Sequence, residues 1–442
     1  MILRGSSPVA GPSDNDSAVE RAVRKAGRRL LPFLFLIYVI AFLDRVNIGY
    51  VKQSFLSDTG LSERVFALGA GIFFVGYALL EIPSNLIMFR VGARVWIGRI
   101  MISWGLVAAA MMFAWTSTSF CSLRLLLGVM EAGFFPGIIL YFACWFPAKS
   151  RGAMLGLFYF GAPCAQIFGG PFSGVLLDMD GIGGLKGWQW VFLAEGLLAV
   201  AAGIWAFRRL TNRPFEASWL SKEERVALQS AMDAEDREKG RRSGHGALAV
   251  LGHWRVWQLG LIYGLIQVSV YGVTFYLPSQ VAGLMAMKAG IAVGFVSAIP
   301  WLCALMAAYA VPRLAIRPGR TRAVAALSLA FAAAGIEIAA TNNPIVGLAA
   351  LCVAAAGFIG VQPVFWTIPT GEFAGGQAAC GIALINSIGS IGGGVAPILR
   401  NAAERSFESS SAGSTVLAVT TLLGAVLIFF AADRPRPEIA RI

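Results

Sequence analysis

Two pairs of opposed charges stand where lipid-facing sequence admits none. Asp44 and Arg45 adjoin in the first long apolar stretch, and Arg124 and Glu131 lie inside another, residues 122–146. A charge at membrane depth is costly unless it faces a protein interior or a water-filled path. Their placement therefore predicts a chain that carries something charged across a bilayer. Arg124 and Glu131 are seven residues apart. A helix turns about 700° over that distance, which returns them to within roughly 20° of one face and sets them about 10 Å apart along the axis. Asp44 and Arg45 are about 100° apart, so both border one cavity only if their helix turns a broad face to it.

The chemistry follows from counting charge. With both acids ionised the four groups sum to zero, and with both protonated they sum to +2, the state that attracts an anion into a low-dielectric cavity. Protonation and anion binding are then coupled. Burial favours the neutral form of a carboxylic acid and a neighbouring Arg favours the charged form, a balance that suits proton release and uptake. Arg is the apt anion ligand because its planar fork matches a carboxylate through two parallel hydrogen bonds. The competing reading makes Asp44–Arg45 and Arg124–Glu131 two buried ion pairs that set helix register.

Other polar residues in apolar surroundings receive the same scrutiny. Glu81, just before Pro83, and Glu195, in Leu193-Ala-Glu-Gly196, read as internally paired structural acids, and Glu337 as a residue snorkelling to an interface. The second half of the chain offers neutral groups: Gln267, Tyr271, Thr274, Gln280, Gln362, Trp366, Thr370, Asn386 and Ser390. Proton coupling is accordingly expected in the first half and hydrogen bonding from the second. The Gly389–Gly394 run reads as close helix packing, because no strand precedes it as a phosphate loop requires. Cys121, Cys144, Cys164, Cys303, Cys352 and Cys380 show no metal-type spacing and read as small packing residues. The two histidines, His245 and His253, fall in or beside a polar segment and read as surface residues. No nucleophile or metal constellation emerges, so neither an enzyme nor a cofactor is expected.

The elements that must position these groups follow from composition. Apolar residues make up 57% of the 442 and charged residues 14%, and the mean hydropathy is +0.70. Apolar runs long enough to cross a hydrocarbon core, about 20 residues each, recur twelve times. They span 31–50, 65–89, 96–115, 120–142, 152–177 and 188–207, then 257–278, 290–311, 323–340, 345–369, 378–399 and 414–432. The fold class expected is an all-α membrane protein of two pseudo-symmetric six-helix bundles, 31–207 and 256–432. A tail at 1–30, a linker at 208–255 and a tail at 433–442 complete it. Within the linker, Ser221-Lys-Glu-Glu224 predicts the start of a solvated amphipathic helix, followed by a flexible Gly/Ser/Arg stretch.

Of the 36 Lys and Arg residues, 28 fall on one side if the N-terminus is cytoplasmic. The positive-inside rule then places both termini there. The same bias accounts for the net charge of +12 without nucleic-acid binding. The first twenty residues are polar with no apolar core, so no cleaved signal peptide is expected.

These residues resemble a known family. Six-plus-six hydropathy with a charged central linker is similar to the major facilitator superfamily. Phe42-Leu-Asp-Arg-Val-Asn47, Gly76-Tyr-Ala-Leu-Leu-Glu-Ile-Pro-Ser84, Arg124-Leu-Leu-Leu-Gly-Val-Met-Glu-Ala-Gly-Phe-Phe-Pro136, Gly187-Trp-Gln-Trp-Val-Phe-Leu-Ala-Glu-Gly196 and Gly381-Ile-Ala-Leu-Ile-Asn-Ser-Ile-Gly389 resemble its anion:cation symporter branch. That branch includes bacterial proton-coupled importers of tartrate, phthalate, hydroxyphenylacetate and sugar acids, and animal sialic-acid and vesicular glutamate transporters. The resemblance implies that Asp44 and Glu131 handle protons, and that Arg45, Arg124, Tyr77 and Asn386 surround a substrate carboxylate. Gln166 and Gln267 join them on helix and approximate place alone. It implies a monomer in the bacterial inner membrane whose partners are a small organic anion, protons and the lipid bilayer.

One departure stands out. In the loop between spans two and three the superfamily usually reads Gly-x-x-x-Asp-Arg-x-Gly-Arg. Here Phe89 precedes Arg90, Gly92 and Arg94, so another contact must bias the gate. The expected function is proton-coupled import of a small organic anion by alternating access. A proton-driven exporter of an amphipathic compound is the alternative, and it predicts fewer fixed cations than Arg45 and Arg124 supply.

Overall fold

The structure, a computed structural model, describes residues 14–242, 252–315, 320–341, 343–372 and 375–431. His245, the stretch 243–251 and the tail 433–442 lie outside the described residues, as do the side chains of Phe89, Thr370 and Cys380. Every long regular element described is a helix. In chain order these are α1 (Asp14–Thr59), α2 (Glu63–Val91), α3 (Ala93–Ala110), α4 (Ser117–Glu131), α5 (Phe134–Trp145), α6 (Ala148–Tyr159), α7 (Gly161–Leu177) and α8 (Gly187–Arg209). They continue with α9 (Lys222–Arg242), α10 (Trp254–Thr274), α11 (Leu277–Leu284), α12 (Ile291–Ala315), α13 (Thr321–Ile338), α14 (Pro344–Glu372), α15 (Gly375–Ser406) and α16 (Ser410–Phe430).

Twelve spans among the described residues are long and apolar enough to cross a membrane. Helices dominate because a backbone in hydrocarbon must satisfy its own polar groups. One span differs from the continuous helix that hydropathy predicts. The fourth is broken directly after Glu131, where Ala132 leaves the helical region and Gly133 takes φ +85° before α5 begins. A left-handed residue costs glycine little and other residues more, so this break ends α4 at the acid. In the fifth span α6 and α7 meet at Phe160, whose backbone stays helical at φ −62° and ψ −16°, so no comparable break occurs there. Hydropathy reports only that both sides of such a break are apolar. The first helix also begins far before residue 31, because its polar N-terminal turns dock on the linker instead of dissolving into solvent.

The spans pack as two six-helix bundles. In the first, α3 lies on α8, α2 on α4 and α1 on α7. In the second, α10 lies on α15, and α14 on both α12 and α13. The bundles meet along two seams, α7 with α12 and α2 with α15. At the first seam, a Cβ on Gly294 would fall 2.2 Å from the carbonyl oxygen of Gly170, so the two backbones touch. Asp178, just past the end of α7, accepts a hydrogen bond from the Ile291 amide at 3.0 Å and so caps α12. The end of α7 and the start of α12 lie on the face opposite the start of α1. On that face the bundles are closed against each other.

The linker helix α9 is docked on the first bundle. Ser221 and Glu224 form a reciprocal cap, the Glu224 amide donating to Ser221 Oγ at 3.2 Å and the Ser221 amide to Glu224 Oε2 at 2.9 Å. Lys25 pairs with Glu224 at 2.7 Å, Arg21 with Glu223 at 3.0 Å and Arg151 with Glu235 at 2.7 Å. Leu228 and Met232, one turn apart, are buried, and Trp219 stacks on Trp145 with ring centroids 5.3 Å apart.

Candidate substrate and proton site

Arg45 is the centre of the charged cluster. Its side chain crosses from α1 to α4 and pairs with Glu131. Its other amino group donates to the Tyr271 hydroxyl on α10 at 3.4 Å. Phe42, Phe73 and Tyr77 surround the guanidinium, with ring centroids 5.4, 5.6 and 5.2 Å away, close enough for ring faces to stabilise the cation. Glu131 is 1% exposed and Arg45 13%.

The pairing differs from both pairs read in the sequence. Asp44 does not pair with its neighbour Arg45, because adjacent residues leave a helix in different directions. Nor does Glu131 bond Arg124, although they share a face. Arg124 Nε instead donates to the Gly69 carbonyl at 3.1 Å, and its guanidinium lies 4.9 Å from the Phe73 ring. Arg124 Nη2 is buried with no hydrogen-bond partner, as is Glu131 Oε2. The Phe73 ring thus touches both guanidinium groups. A buried cation with an unused fork and a buried carboxylate with an unused oxygen are groups that a visiting anion and a proton can satisfy.

The remaining predicted residues divide. Tyr77 is buried against Arg45. Asn386 and its neighbour Ser387 on α15 lie against the Glu81 carboxyl on α2 at the second seam. Gln267 on α10 is half-buried with Oε1 unpartnered, and it lies against Gly389, one turn from Asn386. Gln166 is buried on α7, and no hydrogen bond among the described residues ties it to Arg45. The loop residues form a separate structure. Gly92, at φ +91°, ends α2 and starts α3. Arg94 donates from its amide to Asn212 Oδ1 at 2.9 Å and from Nε to the Phe207 carbonyl at 2.6 Å, which anchors the loop to the end of α8. Arg90 is exposed.

Sequence reasoning passed over two partners, Phe73, which lies between the cations, and Asn47, whereas Tyr271, one of the second half's neutral groups expected to hydrogen-bond, reaches Arg45 from the other bundle. The Asn47 amide donates to Asp44 Oδ1 at 3.4 Å and to Glu195 Oε2 at 3.0 Å. Its position, three residues after Asp44, was the available signal, since such residues are neighbours on a helix.

A family model described as the Major Facilitator Superfamily matches residues 34–397. The chain belongs to that superfamily. It is a multi-pass membrane transporter of small molecules and not an enzyme. Over 411 residues it is 47% identical to the inner membrane transport protein RhmT of Escherichia coli, covering 93% of this chain and 95% of that one. A putative tartrate transporter of Agrobacterium vitis is 44% identical over 411 residues, covering 92% and 90%. A quinolone resistance transporter of Acinetobacter baumannii is 35% identical over 408 residues, covering 92% and 94%. Among solved structures, an inward-facing bacterial homologue of the human lysosomal transporter Spinster superposes with a TM-score of 0.70 at 18% identity, covering 92% of this chain and 97% of that one. That likeness establishes the shared superfamily fold.

Proposed function

We propose that this secondary transporter takes up a small organic anion, a carboxylate, together with protons. The observation that carries the reading is the engagement of Arg45 by Glu131 within one bundle and by Tyr271 from the other. A proton on Glu131 neutralises the acid and frees the Arg45 fork for a substrate carboxylate. The bound anion then draws Tyr271, and with it the second bundle, onto the first. When the anion leaves, Glu131 gives up its proton and takes Arg45 back, which resets the empty carrier. Asp44 shares the proton-handling role, and Arg124, Tyr77, Gln166, Gln267 and Asn386 complete the anion's surroundings.

In this reading the bundles rock about the midplane site as rigid bodies. The face closed by Gly170, Gly294 and Asp178 is the outer face, and both termini and α9 lie in the cytoplasm of a bacterial cell, the protein acting as a monomer in the inner membrane. The deciding experiment is a proteoliposome uptake screen over aliphatic and aromatic acids, with and without an inward proton gradient. Gradient-dependent accumulation of at least one acid is expected. The name of the quinolone resistance relative favours one other reading, proton-driven export of an amphipathic compound. Gradient-driven efflux of such a compound with no acid accumulated would establish export in place of import.

A further inference from the structure

Glu195 has no part in the cycle described above, yet it is among the most deeply buried acids in the molecule, 1% exposed. Its partners are neutral. Ser173 Oγ on α7 donates to Oε1 at 2.8 Å and Asn47 Nδ2 on α1 donates to Oε2 at 3.0 Å. The same Asn47 nitrogen reaches Asp44 Oδ1 at 3.4 Å. Two carboxyl groups therefore stand on either side of one amide. Asp44 Oδ2 and Asn47 Oδ1 are both buried without a partner.

The groups that face Glu195 can be named element by element. From α1 come Asp44, Asn47 and the Tyr50 phenol. From α7 comes Ser173. Against the adjoining Gly196, α3 presents the backbone of Gly105 and Ala109, which carries no charge. The charged neighbours of Asp44 are Glu131 and Arg124 on α4, and Arg45. The two guanidinium groups are engaged by Glu131, Tyr271, the Gly69 carbonyl and the ring of Phe73. Glu195 thus has a carboxyl group as its nearest charge-bearing partner and no cation among its hydrogen-bonded contacts.

We propose that Glu195 and Asp44 form a dyad, bridged by Asn47, that holds one exchangeable proton between them, with Glu195 acting as the positioning residue that keeps Asp44 loaded. Two like charges this close in a low-dielectric interior do not both ionise readily, and their protons come off as a property of the pair. The transfer is balanced: with its one proton the dyad carries −1, the proton leaves the O–H of one carboxyl for solvent or the cavity, and both carboxylates are then ionised, each accepting from Asn47 Nδ2. Asn47 can serve both states because its Nδ2, which carries two N–H groups, lies within hydrogen-bond distance of both carboxyls. The dyad deepens the proton-coupled reading and rests on it.

The test needs no substrate. Purified full-length protein in liposomes is titrated with pH while infrared difference spectroscopy follows the carboxylic C=O bands of buried acids, in wild type, Glu195→Gln and Asp44→Asn. Removing one member removes its negative charge, so the survivor ionises more easily. The expected result is a shift of the Asp44 band in Glu195→Gln by about one pH unit or more toward acid, and a matching shift of the Glu195 band in Asp44→Asn, because coupling between two sites is reciprocal. Should Glu195→Gln fail to fold, the Asp44→Asn arm decides alone. Bands that stay within about a fifth of a unit overturn the dyad even if thermal stability falls, since a merely structural role moves Tm and leaves the midpoints in place. A gradient that drives no acid in the uptake screen would instead overturn symport, and the reciprocal shift would still report on the dyad.

Discussion

The guanidinium of Arg45 and the carboxylate of Glu131 are paired across two helices, 86 residues apart in the chain. The pair is buried, and each member retains an unpartnered polar atom, Arg45 Nε and Glu131 Oε2. Taking two charges out of water costs several kcal/mol per ion, roughly, and their attraction repays this only with good geometry and further hydrogen bonds. An incompletely satisfied pair is suited to exchange partners, and in the proposed cycle a substrate carboxylate competes with Glu131 for the same fork.

Glu131→Gln is expected to abolish gradient-driven accumulation while leaving anion-for-anion exchange measurable, because the neutral amide mimics the protonated acid and cannot reset the empty carrier. Counterflow and gradient-driven uptake in the same proteoliposomes separate the two. Equal loss of both would assign Glu131 to structure alone. Asp44→Asn should behave in the same way.

Arg45→Lys keeps the charge but discards the planar fork and the contact with three rings. Binding of a transported acid, measured by calorimetry, should weaken by about tenfold or more, or roughly 1.4 kcal/mol. Full function with Lys would mean that the site needs only a point charge.

Substrate binding should draw protons from solution. Asp44, Arg45, Arg124 and Glu131 sum to +2 with both acids protonated and to zero with both ionised, so an anion favours the protonated state and, by linkage, raises proton occupancy. Purified protein in weakly buffered detergent should alkalinise the medium when a transported acid is added, and Glu131→Gln should do so less. Proton release on binding would contradict symport through these acids.

The closed face depends on backbone contact between Gly170 and Gly294. Gly294→Val forces the two backbones apart and should hold that face open, with uptake lost. A cysteine placed by Ala289→Cys in a background without native cysteines should then label from outside faster than in the parent. Unchanged labelling would mean that the seam does not form the gate.

The docking of α9 should be sensitive to acid. Burial works against the charged form of Glu224, but hydrogen bonds from Lys25 and Ser221 outweigh it and hold the carboxyl below its usual range. A depressed folded-state value stabilises docking fully above the unfolded value of about 4.3. That stability is lost as pH falls through the folded one. Hydrogen exchange in 222–242 should therefore rise at acid pH in wild type and already at neutral pH in Lys25→Ala.

Much of this molecule is legible along the chain. Twelve apolar runs dictate twelve helices, because hydrocarbon demands that each segment satisfy its own backbone, and residues such as Arg124 and Glu131 betray a non-lipid surface by being there at all. The capping pattern at Ser221–Glu224 marks the start of α9 because its signal is local, confined to one turn. Partnership is another matter. That Arg45 meets Glu131 rather than Asp44, that Arg124 turns to the Gly69 carbonyl, and that Glu195 shares Asn47 with Asp44 depend on how α1, α2, α4, α7 and α8 are rotated against one another. Those rotations come from side-chain and backbone packing between segments distant in the chain, such as Gly170 against Gly294, and no spacing within a single helix encodes them. The sequence by itself determined the membrane fold and which residues are out of place in it. Only the tertiary structure decided which of them touch, since contact energy belongs to pairs and the chain order names only single positions.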